Sequence, residues 1–303
     1  MSRQIEIVEV GPRDGLQNDP VLLPTEVKLE FIDRLIGAGV TRMEAASFVH
    51  PKLVPAMADS DEIMARVPRG KGVKYIGLAL NERGMRRAIE CECDEINFVM
   101  VASKGFGKRN QNATPEETAD LLDRIAILAH DAQIPLSATI SVAFGDPFDG
   151  EVDIAVVAEL ARRAEAAGAV EIALGDTIGV ASPWDVRARI EAVRDAAPRS
   201  RLRLHFHNTR NTALANVYAA VEAGVDVIDA SAGGIGGCPF APRATGNVAT
   251  EDVVYMLHRG GYETGIDLDK MIETAQWLET DALKHNIESM LSKAGPFPGR
   301  LAE

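Results

Sequence analysis

Residues 201–231 read RLRLHFHNTRNTALANVYAAVEAGVDVIDAS. The first seven alternate polar and apolar, the period of a strand; residues 212–223 carry helical spacing; the run from Val225 is again short and β-branched. Strand, helix, strand in that order is a βαβ unit, and such units build parallel sheets. Working outward, the same grammar recurs along the chain. Strand-like runs begin at Ile5 (IEIVEV), Arg42 (RMEAASF), Lys74 (KYIGLAL), Glu95 (EINFVMV), Leu136 (LSATISVAF) and Val170 (VEIALGD). Helical candidates at 115–130, 153–167 and 183–196 lie between them, each ended by Gly, Pro or a polar cluster. Eight strands alternating with helices predict an α/β fold, the TIM (β/α)8 barrel, which needs roughly 250 residues. An open doubly wound sheet uses the same units and stays as the alternative.

The 303 residues show no linker or low-complexity tract, so one domain spanning 1–303 is expected, with the barrel in about 1–260 and a helical extension in 261–303. Residues 266–293 are expected to continue as helix, serving as a lid, an oligomer contact or extra packing. The composition, 46% apolar and 25% charged, is that of an ordinary globular protein. A formal charge of -13 argues against binding nucleic acid or an anionic membrane, since both demand a basic surface. The N-terminus enters a strand pattern without a leader, and no run approaches the roughly 18 apolar residues of a membrane span. Three cysteines, Cys91, Cys93 and Cys238, make an odd number at spacings unlike a disulfide framework, which fits a reducing cytoplasm. Cys91 and Cys93 have no second ligand pair nearby and are read as structurally bland.

In a barrel the functional groups gather at the C-terminal ends of the strands, and strand eight closes beside strand one. Strand one ends in GPRDGLQ, placing Arg13 and Asp14 at the top. Strand seven ends in HFHN, and a His-x-His spacing points His205 and His207 to one face. Strand eight runs into a glycine loop ending at Asn247. Two imidazoles, the Asp14 carboxylate and the Asn247 carbonyl oxygen make a mixed site for a divalent ion, Mg2+ or Mn2+, with no thiolate to favour zinc. The same histidines could instead fill the barrel interior. Arg13 beside a metal calls for an anion between them, such as a substrate carboxylate or enolate. Glu44, at the end of strand two, and Asp176, at the end of strand six, are placed as barrel-top carboxylates. Each could orient a ligand or water, and each could cap a helix.

The loop at 233–247, GGIGGCPFAPRATGN, holds Cys238 among glycines that permit φ > 0 and close backbone approach. Cys238 is expected on a mobile flap closing over the metal, as an acid/base group, or else as a buried structural thiol.

At EVGPRDGLQN, MEAASFVHPKLVPAMAD, ALGDTIGVASP and GGIGGCPFAPRATGNVATEDVVYML, over nearly its whole length, the chain resembles the 3-hydroxy-3-methylglutaryl-CoA lyase family of metal-dependent TIM barrels. The resemblance implies cleavage of 3-hydroxy-3-methylglutaryl-CoA to acetyl-CoA and acetoacetate with a divalent metal. It implies Asp14, His205, His207 and Asn247 as metal ligands, and Arg13, Cys238, Glu44 and Asp176 as catalytic residues. Gln17, Lys104, Lys108, Arg109 and Arg210 are the expected contacts to an acyl-CoA substrate, the three central ones lying in SKGFGKRN, which could equally be a solvated basic turn. A homo-oligomer is expected. One departure is that family lyases carry HDT after the second metal histidine, whereas this chain has Asn208, Arg210 and Asn211 there. Arg210 could therefore pair with a differently placed carboxylate, as in citramalyl-CoA or a longer 3-hydroxyglutaryl-CoA. His-x-His-Asn also occurs in the synthase branch, which condenses rather than cleaves and carries a long regulatory extension. A non-catalytic metal-binding relative is the remaining alternative, opposed by the intact Arg13, Asp14 and Cys238.

Overall fold

The computed structural model describes residues 3–237 and 245–298. The eight expected runs all become strands: β1 Glu6–Glu9, β2 Arg42–Ser47, β3 Lys74–Ala79, β4 Glu95–Val101, β5 Leu136–Ser141, β6 Glu171–Asp176, β7 Arg201–Phe206 and β8 Val227–Ala230. They pair in parallel as a closed barrel in the order β1-β8-β7-β6-β5-β4-β3-β2. Closure excludes the open sheet, because β1 pairs with β8 from Glu6↔Val227 to Glu9↔Ala230 and meets β2 at Glu9↔Met43.

Helices cover the outside: α1 Thr25–Gly37, α2 Ser60–Arg66, α3 Glu82–Glu90, the short α4 Lys104–Asn110, α5 Pro115–Asp131, α6 Ile154–Ala167, α7 Pro183–Ala196, α8 Ala213–Glu222 and α9 Thr250–Arg259. Their starts follow from local chemistry. Thr114 with Glu117, and Ser182 with Asp185, form capping boxes ahead of Pro115 and Pro183, satisfying N–H groups that a helix start leaves free. The main apolar core lies between barrel and helices, from Phe31, Leu35, Met43, Phe98 and Ile140 to Val217.

Inside the barrel the filling is divided. Val8, Val10, Ile76 and Val227 form a separate apolar plug contributed by the start of the chain, β3 and β8. Beside it, at the N-terminal ends of the strands, Arg42 grips Glu95 and Glu171 at 2.7 and 2.8 Å, and Ser137 donates to Glu95 at 2.6 Å. These buried charges are mutually paired, the condition for tolerating them away from water.

The expected continuous helix at 266–293 is not found. Helix α10 spans Leu268–Trp277, a π turn follows at Leu278–Ala282, and the chain then leaves helical geometry until the short α11, Leu291–Ala294. Tertiary bonds outweigh the helical pattern here. Asp252 on α9 accepts the N–H groups of Met290 and Leu291 at 3.1 and 2.8 Å, and Glu288 donates to the Gly233 carbonyl at 3.2 Å. The segment thus packs against the start of the glycine loop, while His285 meets Asp19 at 3.0 Å. Among the described residues no helix is long and apolar enough to cross a membrane.

Candidate metal centre

After β1 the chain enters a π turn, Gly11–Gly15, that carries Arg13 and Asp14. Glu9 fixes this turn: its carboxylate accepts from Gly11 N at 2.8 Å, Ala232 N at 2.9 Å and Thr250 Oγ1 at 2.7 Å. It therefore ties the turn to the segments before and after the glycine loop. Burial pushes Glu9 up to about 7, against those hydrogen bonds.

Asp14, His205 and His207 bring one ligand atom each within 4.8 Å of one another. The two imidazoles face the same side, as the spacing predicted, with ring centroids 5.1 Å apart. Asn247, bridged to His207 across the backbone, donates its Nδ2 to Asp14 Oδ2 at 2.8 Å and to the Ile235 carbonyl at 3.0 Å. Gly236 runs against this pair with φ +112°, and a Cβ there would meet Asn247 Nδ2 at 2.5 Å and the Asp14 carbonyl at 3.1 Å. That close approach is one physical reason for glycine in the loop. Cys238 lies outside the described residues.

Arg13 sits between two carboxylates, donating to Glu44 at 2.5 Å and to Asp14 at 2.8 Å. Burial opposes its charge, but Glu44 and Asp14 outweigh that and raise its pKa. For Asp14, burial is likewise overcome, by Arg13 first and then by His205 and His207, and its carboxyl falls to about 2. Burial and the His205 ring push His207 down to about 4. His205 moves up, because its hydrogen bond and charge contact with Asp229 exceed the effect of burial.

These residues fit a divalent ion. His207 Nδ1 and Asn247 Oδ1 are buried with no hydrogen-bond partner among the described residues, a state costing about 1–3 kcal/mol per group unless something satisfies it. An ionised carboxylate, two imidazoles and an amide oxygen form a set without thiolate, suited to Mg2+ or Mn2+.

The other expected residues fall into place unevenly. Glu44 is not at the end of β2 but third of its six residues, inside the barrel, where it also accepts from Asn97 at 3.3 Å. Asp176 does end β6, yet it caps no helix. Its oxygens accept the N–H groups of Val180 and Ala181 at 2.8 and 3.1 Å, and Ser182 caps α7 instead. Burial raises Asp176 to about 6. Arg210 donates to the carbonyls of Ile178 and Gly179 at 3.0 and 2.9 Å, tying down the loop that follows Asp176. Gln17 follows the π turn with its Oε1 buried and without a hydrogen-bond partner among the described residues. The basic run is a short helix, not a loop: Lys104 begins it, Lys108 pairs with Glu117 at 3.1 Å, and Arg109 stacks over Phe148 at 4.0 Å. Cys91 and Cys93 are free thiols pushed by burial to about 11 and about 12, which leaves them protonated and poor metal ligands.

Sequence reasoning missed Glu9, Asn97, Asp229 and Arg203. Asp229 had a signal: it is the second of two carboxylates in VDVIDAS and lies between the apolar Ile228 and Ala230, where a buried charge is costly without a partner. Its partner became visible only with the register, which sets Asp229 beside His205.

The chain matches the HMGL-like family over residues 4–278. It is 41% identical to the hydroxymethylglutaryl-CoA lyase YngG of Bacillus subtilis, covering 91% of this chain and 93% of that one. It is 40% identical to the mitochondrial hydroxymethylglutaryl-CoA lyase of Gallus gallus, covering 96% and 98%. A solved HMG-CoA lyase from Acinetobacter baumannii, in complex with coenzyme A and 3-methylmalate, superposes with a TM-score of 0.94 at 37% identity, covering 99% and 98%.

Proposed function

The chain belongs to the HMGL-like family, and from that premise we propose that it cleaves 3-hydroxy-3-methylglutaryl-CoA to acetyl-CoA and acetoacetate, with a divalent ion held by Asp14, His205, His207 and Asn247. The observation that carries the reading is the convergence of those four residues with Arg13 at the C-terminal mouth of the barrel. A bound Mg2+ or Mn2+ would supply Lewis-acid polarisation of substrate oxygens.

The protein's own groups supply the rest. Asp176, raised to about 6, is near the pKa that suits a general base at neutral pH, and it is the proposed acceptor of the C3 hydroxyl proton. As that proton leaves, the C2–C3 bond breaks, the C3 oxygen becomes the acetoacetate ketone, and the electron pair passes to the acetyl-CoA enolate. Arg13 is a cation held in place by Glu44, so it meets the developing negative charge without reorganising. Cys238, outside the described residues, is the proposed proton donor to C2. Lys104 and Arg109 are the proposed contacts to the coenzyme A phosphates, where positive charge is needed on so acidic a chain. Coenzyme A in the Acinetobacter baumannii relative supports entry of an acyl-CoA. Arg210 gives its Nη1 to backbone carbonyls, which weakens the case for a different acyl group. The free thiols support a reducing compartment such as the cytoplasm.

The test is acetyl-CoA release from 3-hydroxy-3-methylglutaryl-CoA by purified protein with Mg2+, beside chelated protein and Cys238→Ala. Fast release lost in both controls supports the proposal. Absence of release from folded, metal-binding protein would overturn it and move attention to citramalyl-CoA.

A further inference from the structure

We propose that Asp229, backed by Arg203, positions His205 for the divalent ion by fixing which ring nitrogen faces the site. The inference rests on the metal reading of the Asp14–His205–His207 cluster and not on the lyase reaction itself.

His205 and Asp229 are register partners on adjacent strands, β7 and β8. Asp229 Oδ2 stands 3.1 Å from His205 Nδ1. A carboxylate only accepts hydrogen bonds, and a neutral imidazole has one N–H, so the proton belongs on Nδ1 and the lone pair on Nε2. Nε2 is the nitrogen that faces Asp14 Oδ2, at 4.0 Å. Ligating histidines commonly donate their other N–H to a carboxylate, which fixes tautomer and ring orientation together.

The carboxylate is kept ionised by its surroundings. Arg203, among the largest fully buried side chains, has Nε 3.4 Å from Asp229 Oδ1 and 3.4 Å from Glu171 Oε1. Glu171 is held by Arg42, which also grips Glu95. The result is a string of alternating charge, Glu95–Arg42–Glu171–Arg203–Asp229–His205, running from the N-terminal end of the barrel to the metal cluster. Within it the 3.4 Å contacts are electrostatic only: Arg203 Nε and Asp229 Oδ1 make no hydrogen bond to the described residues. Asp229 thus spends its hydrogen bond on the histidine. His207 is arranged differently, its Nδ1 being buried with no hydrogen-bond partner among the described residues.

The test uses full-length protein stripped of metal by chelation and labelled with 15N in histidine. A long-range proton–nitrogen correlation spectrum is taken at alkaline pH, where both imidazoles are neutral, and His205 is assigned by its loss in His205→Gln. Wild-type His205 is expected as the Nδ1–H tautomer. Asp229→Asn, whose amide can also donate, is expected to shift that tautomer and to weaken Mn2+ binding, read from the free-ion paramagnetic resonance signal, by about ten- to a hundred-fold. An Nε2–H tautomer in the wild type, or a folded Asp229→Asn that binds Mn2+ as tightly as wild type, overturns the proposal. Should the variant not fold, the wild-type tautomer decides alone. Failure of the lyase reading would look different: wild-type protein that binds Mn2+ yet releases no acetyl-CoA.

Discussion

Arg13 on the turn after β1 and Glu44 inside β2 form a buried ion pair at 2.5 Å, with Arg13 9% and Glu44 3% exposed. A fork-shaped cation held this way cannot be replaced by a point charge. Arg13→Met is expected to lower kcat by about 10²–10³-fold, as for loss of one oxyanion donor. It is also expected to cost about 3–5 kcal/mol of stability, because Glu44 is left buried beside a vacated partner. Arg13→Lys should restore most of the stability and little of the rate. Acetyl-CoA release and denaturant unfolding check both, and a Met variant with full kcat would remove Arg13 from the mechanism.

Asp176, Glu9 and Glu251 are raised by burial to about 6, about 7 and about 8. Each binds its proton more tightly folded than unfolded, so its stabilising contribution is full below the ordinary carboxylate range and is lost as pH rises through the folded value. The unfolding midpoint of metal-free protein is expected to fall between roughly pH 5 and pH 9. Glu251→Gln, which removes the highest of the three, should flatten the alkaline part. An unchanged slope in that variant would contradict the assignment.

The activity profile should run the other way. Asp176, as the proposed base, can accept a proton only when ionised, so kcat is expected to rise with pH through about 6 and to level above it. Asp176→Asn should leave a small, pH-independent residue of activity; a wild-type limb at the same pH in that variant would assign the base elsewhere.

Mn2+ should stabilise the protein by binding only its folded form, by about 2.7 kcal/mol at a hundred times its Kd. His207→Ala removes a buried nitrogen that has no hydrogen-bond partner among the described residues. Its thermal midpoint is therefore expected to respond weakly to Mn2+, and a wild-type response would take His207 out of the ligand set.

Arg210→Ala separates a tether from a substrate contact. Losing two bonds to the Ile178 and Gly179 carbonyls should cost roughly 1 kcal/mol each in loop order and lower kcat less than tenfold, with KM nearly unchanged. A large rise in KM alone would restore Arg210 as a partner of the substrate carboxylate.

The barrel was legible because strand and helix periods alternate along the chain, and the candidate cluster was legible because His205 and His207 share one face of β7 and Asp14 follows β1, which barrel closure brings close. What escaped the sequence depends on register and competition. Glu44 sits mid-strand, third of the six residues of β2, and the strand carries a register irregularity just after it, between Glu44 and Ala46. The helix expected through residue 293 fails where Lys284 adopts φ +59° and Asp252 captures the following N–H groups. Arg203 and Asp229 look like ordinary strand charges, one between Arg201 and His205 and the other near Asp226, until β7 and β8 are laid side by side.

The hydrogen bond from Asn247 to Asp14 joins residues 233 positions apart, across the same seam where β1 meets β8. Synthesis delivers the chain N-terminus first, at roughly 5–20 residues per second. Asp14 therefore waits on the ribosome, without its partners, until the last βα unit has emerged. An ion held jointly by Asp14 and Asn247 would therefore be bound late, across the seam where the first strand meets the last.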